Sequence, residues 1–474
     1  MTTSRRALRR IPCSPGRHET LDVARGVAVL GILWFNIFLF ALPFEAMVIP
    51  GIWGEANTAN MLTWEVMSVT VAGVMRGMFS ILFGASALLL LARAEGTHGE
   101  TDAIDGYFRR LVWLIAIGSV HAYLLIWPHD ILYAYGVLGM LIFPFRHARA
   151  GTLIVVAGAM LLGSTVLTAR NVEEIGDART KVDRVLPEPE RERLRGGDPL
   201  VEELESYDES SWRGAHPRFL LAADADPATP DGERIDREYD EFVARLAGEM
   251  DERQKGYLAN LVAFAPDSFE QQTAEMISNH LLDVGAFLFF GMALFKLGFL
   301  TGKWDGRAYA RVAVVGYAVG LTIGVVARVP TVEGTTFDAV SHFASSYGFD
   351  VRRLALALAN FASVALLVRS GHLGALRRRL AACGRMALTL YISQTVICNF
   401  VFLGYGLAQF GQLEHHQIAL VALALTLAQL AVAPMVLARW RQGPLEALLR
   451  RVVAIGADDR PHRPIALPPD IARP

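Results

Sequence analysis

Apolar runs of eighteen or more residues recur along this chain, and no other feature narrows its fold as far. A bilayer core offers no water to backbone N–H and C=O groups, so a run of that length must satisfy its own hydrogen bonds as a helix. The expected fold is all-α: a polytopic integral membrane helix bundle. Ten transmembrane helices are predicted, at roughly 22–43, 74–93, 110–127, 129–146, 151–169, 281–300, 308–328, 351–369, 386–408 and 417–438. A soluble chain of 474 residues would instead form two or three domains of amphipathic segments, whereas 53% of this one is hydrophobic.

Basic clusters set the expected orientation. They fall at Arg5, Arg6, Arg9 and Arg10, at Arg93 with Arg109 and Arg110, at Arg146 and Arg149, and at Lys303, Arg307 and Arg311. Two more run from Arg369 to Arg385 and from Arg439 to Arg451. Ten spans with a cytoplasmic start place every cluster on one side, so both termini are expected in the cytoplasm. The chain then divides into a basic cytoplasmic N-terminal extension (1–20), five helices (21–169), a long polar extracytoplasmic loop (170–280), five more helices (281–450) and a Pro-rich cytoplasmic tail (451–474). The loop is rich in Asp, Glu, Arg and Pro and resembles a solvated insert. Its later part, Tyr257 to Phe269, reads as a short helix packing on the membrane face. Residues 63–73 read as an interfacial helix, because 63–93 is too long for one ordinary span. Cys13, Cys383 and Cys398 lack metal-ligand spacing, and no disulfide framework follows from them. No metal is expected. A net charge of −2 gives no sign of nucleic acid as a partner.

Polar residues inside apolar spans need partners or a function, since Asp or Arg near a span centre costs about 2.5–3.5 kcal/mol. Asp22 and Arg25, three apart, share a helix face and can pair. Asn36 lies eleven residues beyond Arg25, about 16 Å along that face. The alternative is a topology anchor plus an interhelical hydrogen bond. His121 and Asp130 fall at matching depth across a turn marked by Pro128, as a base with its orienting carboxylate would, or as a bond stapling two helices. His129 reads as interfacial. Arg76 heads its span and can hold an anion, pair with Asp130 or snorkel to lipid. Gln394 and Tyr133 are candidate substrate contacts; Gln394 reads equally as interhelical glue. Phosphate-binding, zinc-protease, serine-nucleophile and dinucleotide motifs are absent from the sequence.

Leu21-Asp22, Arg25-Gly26, Ala28, Leu30-Gly31-Ile32 and Phe35-Asn36 together resemble the opening of the YeiB-like integral-membrane family, domain of unknown function 418. Leu82-Phe83-Gly84, His121-Ala122, Asp130-Ile131-Leu132, Gly384-Arg385-Met386-Ala387-Leu388-Thr389, Gly404-Tyr405-Gly406-Leu407 and Gly443-Pro444-Leu445-Glu446 continue the resemblance in order. The first helix is also distantly similar to those of the transmembrane acyltransferases, which have an Arg followed eleven positions on by Asn or His. In the lysosomal heparan glucosaminide acetyltransferase a catalytic His follows shortly after. Here Ile37, Phe38, Leu39 and Phe40 follow Asn36, so His121 is taken as the base by position and chemistry.

The resemblance implies a plasma-membrane enzyme moving an acyl group from cytosolic acyl-CoA to an extracytoplasmic small-molecule or glycan acceptor. Asp22, Arg25 and Arg385 would bind CoA, His121 with Asp130 would act as base, and Asn36 and Arg76 would stabilise the oxyanion. The alternative is a transporter or flippase for a small metabolite or lipid-linked sugar. The bilayer is the expected partner, with a homodimer left open.

Overall fold

The computed structural model describes residues 15–44, 57–185, 230–328 and 336–454. The expected loop at 186–229, Cys13 and most of both terminal extensions lie outside these residues. Among the described residues every regular element is helical. They form α1 (Pro15–Ala41), α2 (Thr58–Thr70), α3 (Val74–His98), α4 (Glu100–Ser119), α5 (Leu132–Ile142) and α6 (Ala150–Val185). Then come α7 (Pro230–Arg253), α8 (Tyr257–Gln272), α9 (Leu281–Lys296), α10 (Gly306–Val326) and α11 (Thr336–Ser370). The chain closes with α12 (Gly374–Arg385), α13 (Ala387–Phe402), α14 (His415–Arg439) and α15 (Pro444–Ala454). The molecule is a multi-pass helical membrane protein.

Among the described residues seven helical segments are long and apolar enough to cross a membrane, or eight if α12 and α13, bent by 82° at Met386, count as one. That is fewer than the ten expected, and the shortfall lies mainly at 110–127 and 129–146. Helix α4 opens with Glu100, Asp102, Asp105, Arg109 and Arg110, so its apolar run is short. It ends in a π-turn, Val120–Leu124. Helix α5 has 11 residues, about 17 Å, well short of a hydrocarbon core. The segment expected as a polar loop differs too. Helix α6 runs on to Val185, and Tyr257–Lys296 is continuously apolar enough to be a span, with Leu258, Val262, Phe269 and Ile277 exposed along it. The predicted interfacial helix appears as α2, separated from α3 by a turn through Gly73 at φ 71°.

Helix α1 sits at the centre, packed against α3, α12, α13 and α14. Helix α12 approaches it backbone to backbone at two points. A Cβ on Gly26 would overlap the Leu380 carbonyl, and one on Gly384 would overlap that of Asp22. The same holds across α3 and α9, where Gly84 faces Leu288 and Gly291 faces Ile81. In lipid, where no hydrophobic force pushes helices together, small residues allow the close packing that holds them. We expect Gly384→Val to separate α12 from α1 and to destabilise the protein by about 2 kcal/mol or more. Thermal unfolding of the detergent-solubilised variant measures this; an unchanged transition temperature would show that the contact yields freely.

Candidate functional site

Two features define the site. The first is a cavity of about 1710 Å³ lined by α1, α3, α4, α5, the α12–α13 bend and the α14–α15 corner. Along α3 its lining runs from Ala94 to Phe79, about 22 Å of helix. One end carries eight arginines, among them Arg25, Arg93, Arg110, Arg385, Arg439 and Arg450, against two acids, Asp22 and Glu446. Both acids are engaged. Asp22 lies 3.4 Å from Arg25, whose other nitrogen donates to Ser86 Oγ at 2.6 Å. Glu446 accepts from the Leu388 and Thr389 amides at 2.8 and 3.2 Å and from Thr389 Oγ1 at 2.5 Å, capping the start of α13. That contact links two of the sequence motifs, the Gly384–Thr389 run and the Gly443–Glu446 run. The mouth is therefore strongly cationic. The far end is apolar and aromatic: Ile32, Phe79, Phe83, Leu114, Tyr135 and Tyr391.

Beyond this far end lies the second feature. His121 Nδ1 is 2.6 Å from Asp130 Oδ1, and its Nε2 is 2.8 Å from Thr395 Oγ1 on α13. The imidazole is fully buried. A carboxylate at Asp130 only accepts, so Nδ1 carries a proton, and in the neutral imidazole Nε2 then accepts from the Thr395 hydroxyl. Thr395–His121–Asp130 is thus a hydroxyl, a base and an orienting acid in line. Asp130 is fixed in turn by the Tyr133 amide, which donates to its Oδ2 at 2.8 Å. Gly118 on α4 leaves room for that carboxylate, since a Cβ there would come 2.5 Å from Oδ2.

The backbone around His121 departs from regular helix. The π-turn holds His121, and Ile126 takes φ 53°, unfavourable for a β-branched residue. Such π-turns and strained residues occur disproportionately at functional sites. The carbonyls freed by the break are satisfied by Asn399, whose amide donates to Leu125 O at 2.6 Å and Ile126 O at 3.2 Å. Trp127 stacks on Phe40 of α1, centroids 3.7 Å apart, which anchors the turn to the core. Tyr391 separates this assembly from the cavity. Its ring meets the His121 imidazole edge-on with centroids 5.1 Å apart, and its hydroxyl accepts from Trp127 Nε1 at 3.2 Å and the Ile131 amide at 3.4 Å.

Other expected site residues go elsewhere. Arg76 does not pair with Asp130; it donates to Asp283 Oδ2 at 2.5 Å. Asp283 also takes Arg353 at 2.5 Å, and Arg353 reaches Asp350 at 2.9 Å, which accepts from Thr165. A buried acid from α9 outcompetes Asp130, which is already spent on His121. Asn36 is half-buried and outside the cavity lining. Gln394 is buried, with its amide donating to Val29 O and Gln429 Oε1, so it joins α13 to α1 and α14. Tyr133 contributes its backbone to Asp130, and its side chain does not line the cavity. His129 is exposed at the turn beside Trp127. Among the described residues no cluster of three metal-ligating side chains occurs.

Sequence reasoning missed Tyr391, Thr395, Asn399 and the Asp283–Arg353–Asp350 network. The first three were signalled by spacing, since 391, 395 and 399 recur every four residues on one helix face.

The family model for proteins of unknown function DUF418 matches residues 294–456, which include α12 to α15 and the Thr395 stripe. The uncharacterized protein YeiB of Escherichia coli (strain K12) is 26% identical over 467 residues, covering 92% of this chain and 96% of its own. The chain is thus similar to a YeiB-like protein along most of its length and to the DUF418 family in its C-terminal part. Another uncharacterized protein, YxaH of Bacillus subtilis (strain 168), is 23% identical over 457 residues, covering 92% of this chain and 93% of its own length. No solved structure matches.

Proposed function

We propose that this protein is a plasma-membrane acyltransferase that takes an acyl group from cytosolic acyl-CoA and passes it to an extracytoplasmic hydroxyl or amine. The observation that carries this reading is the cavity, cationic at one end and apolar at the other, which stops beside the His121–Asp130 pair. An acyl-CoA has the same polarity. Its phosphates suit Arg25, Arg93, Arg110 and Arg385, because guanidinium groups bind phosphate through paired N–H donors. Its pantetheine arm and acyl chain suit the passage between α1 and α3. The positive-inside rule puts the arginine mouth in the cytoplasm, where CoA is found. His121, its tautomer set by Asp130, would accept the acceptor's proton at Nε2 by way of the Thr395 hydroxyl. The acceptor class is a small molecule or a glycan.

Release of free CoA thiol by the purified protein in nanodiscs, supplied with acyl-CoA and a hydroxyl or amine acceptor, tests the reading. We expect His121→Ala to lower turnover by at least about 10²-fold while the transition temperature stays near wild type. Turnover at the wild-type rate in that variant would remove His121 from the chemistry.

A specific observation favours a second reading, a transporter. The Arg76–Asp283–Arg353–Asp350 network, buried except at Arg76, lies away from the cavity, and ionisable groups at membrane depth commonly mark ion or substrate paths. Substrate-dependent uptake by proteoliposomes free of acyl-CoA would support it.

A further inference from the structure

Helix α13 presents one side chain to both halves of the site. Tyr391 lines the apolar end of the cavity and packs edge-on against His121. It is only 5% exposed. Its phenol oxygen already accepts two hydrogen bonds, from the Trp127 indole and the Ile131 amide. Among the described residues its own proton meets no acceptor. A buried O–H group without an acceptor is expensive to keep, and the open neighbour of this residue is the cavity. Tyr135 offers a contrast at the same end. Its hydroxyl is paired with Ser80 at 3.0 Å, and Ser80 donates onward to the Arg76 carbonyl. That pairing leaves the Tyr135 proton engaged. The groups expected from sequence to hold a developing negative charge, Asn36 and Arg76, do not line the cavity.

We propose that the Tyr391 hydroxyl is the oxyanion donor of the site, hydrogen-bonding the carbonyl oxygen of the bound acyl thioester. This rests on the acyltransferase reading above. Two accepted bonds polarise the phenol and strengthen it as a donor. They also fix the oxygen in place, as preorganised stabilisation requires. In the reaction, the acceptor oxygen or nitrogen forms a bond to the thioester carbon. Its proton passes through the Thr395 hydroxyl to His121 Nε2. The carbonyl π pair moves onto oxygen, where Tyr391 O–H donates to it. When that pair returns, the C–S bond breaks, and the CoA thiolate leaves and takes the proton from the imidazolium.

The test compares wild type, Tyr391→Phe and Trp127→Phe in nanodiscs, with acetyl-CoA and octanoyl-CoA as probes and free-thiol release as the readout. Tyr391→Phe keeps the ring against His121 and removes only the donor. It should lower kcat about 10²-fold or more with KM changed less than about threefold, because the bond strengthens as charge develops. Trp127→Phe removes a bond that the hydroxyl accepts and leaves its proton in place, so it should lose much less. Unchanged kcat in Tyr391→Phe beside an active wild type would overturn the assignment. So would equal losses in both variants accompanied by a fall in transition temperature, the pattern of a structural hydroxyl. If wild type itself releases no thiol from either probe, the acyltransferase reading fails, and the oxyanion role fails with it.

Discussion

Asp283→Asn should be among the most destabilising single changes in this protein, at about 3–5 kcal/mol. Asp283 stands between two guanidinium groups, accepting from Arg76 at one oxygen and from Arg353 at the other, each at 2.5 Å. Arg353 is 3% exposed, and Asp350 on its far side is 1% exposed, so their charges are balanced in place rather than by water. Asparagine would offer one oxygen and turn an NH₂ group toward the second arginine. Two cations, Arg76 and Arg353, would then share the single buried carboxylate of Asp350, and the uncompensated positive charge costs far more than a surface pair is worth. Arg76, 40% exposed, can reach solvent, and Arg76→Gln should be the milder change. Unfolding in detergent measures both. Combining Asp283→Asn with Arg353→Gln should recover part of the loss, since neutrality returns. Strictly additive losses would mean that the two groups are not coupled.

Asp130→Asn should lower turnover by about 10³–10⁴-fold with little change in fold, the scale seen when a catalytic histidine loses its orienting carboxylate. The carboxylate holds two groups, His121 Nδ1 and the Tyr133 amide. An asparagine can still accept from the Tyr133 amide with its oxygen, which keeps the start of α5 in place. Its NH₂ would then face Nδ1 and force the imidazole proton to Nε2. In that tautomer Nε2 donates to Thr395 and has no lone pair for a proton arriving through the hydroxyl. Thiol release from acyl-CoA, with transition temperature as control, separates this from misfolding. Turnover within threefold of wild type would show that the pair is a staple between helices.

How much of this was legible in the sequence depends on the range of the interaction. The Asp22–Arg25 pair is local, three residues on one helix, and it forms as expected. His121 and Asp130 are nine apart across a turn that Pro128 announces, and they meet. For Arg76 the sequence offers an anion, lipid or, by depth alone, Asp130. Depth does not rank partners, and Asp283, 207 residues away, takes it instead. Gln394 and Tyr391 lie three apart on α13, yet one is enclosed between helices and the other faces the cavity. Periodicity shows that such a face exists but not which neighbour covers it. The number of spans differs from the expected ten for a related reason. An apolar window does not reveal that the backbone breaks inside it, as it does at the π-turn and Ile126, because Asn399 on a distant helix is what makes the break affordable.

By itself, the sequence determined that this protein is an all-helical, multi-pass membrane protein, because long apolar runs leave the backbone no other way to satisfy its hydrogen bonds in lipid. It also determined the local pairs, whose geometry follows from helical spacing. Only the tertiary structure decided that the arginines of six separate helices share one cavity mouth, and that Thr395 and Tyr391 complete the surroundings of His121. Those contacts join residues up to hundreds of positions apart. They depend on which helix faces meet, and that is set by close packing at positions such as Gly26 and Gly384, not by any pattern within one helix.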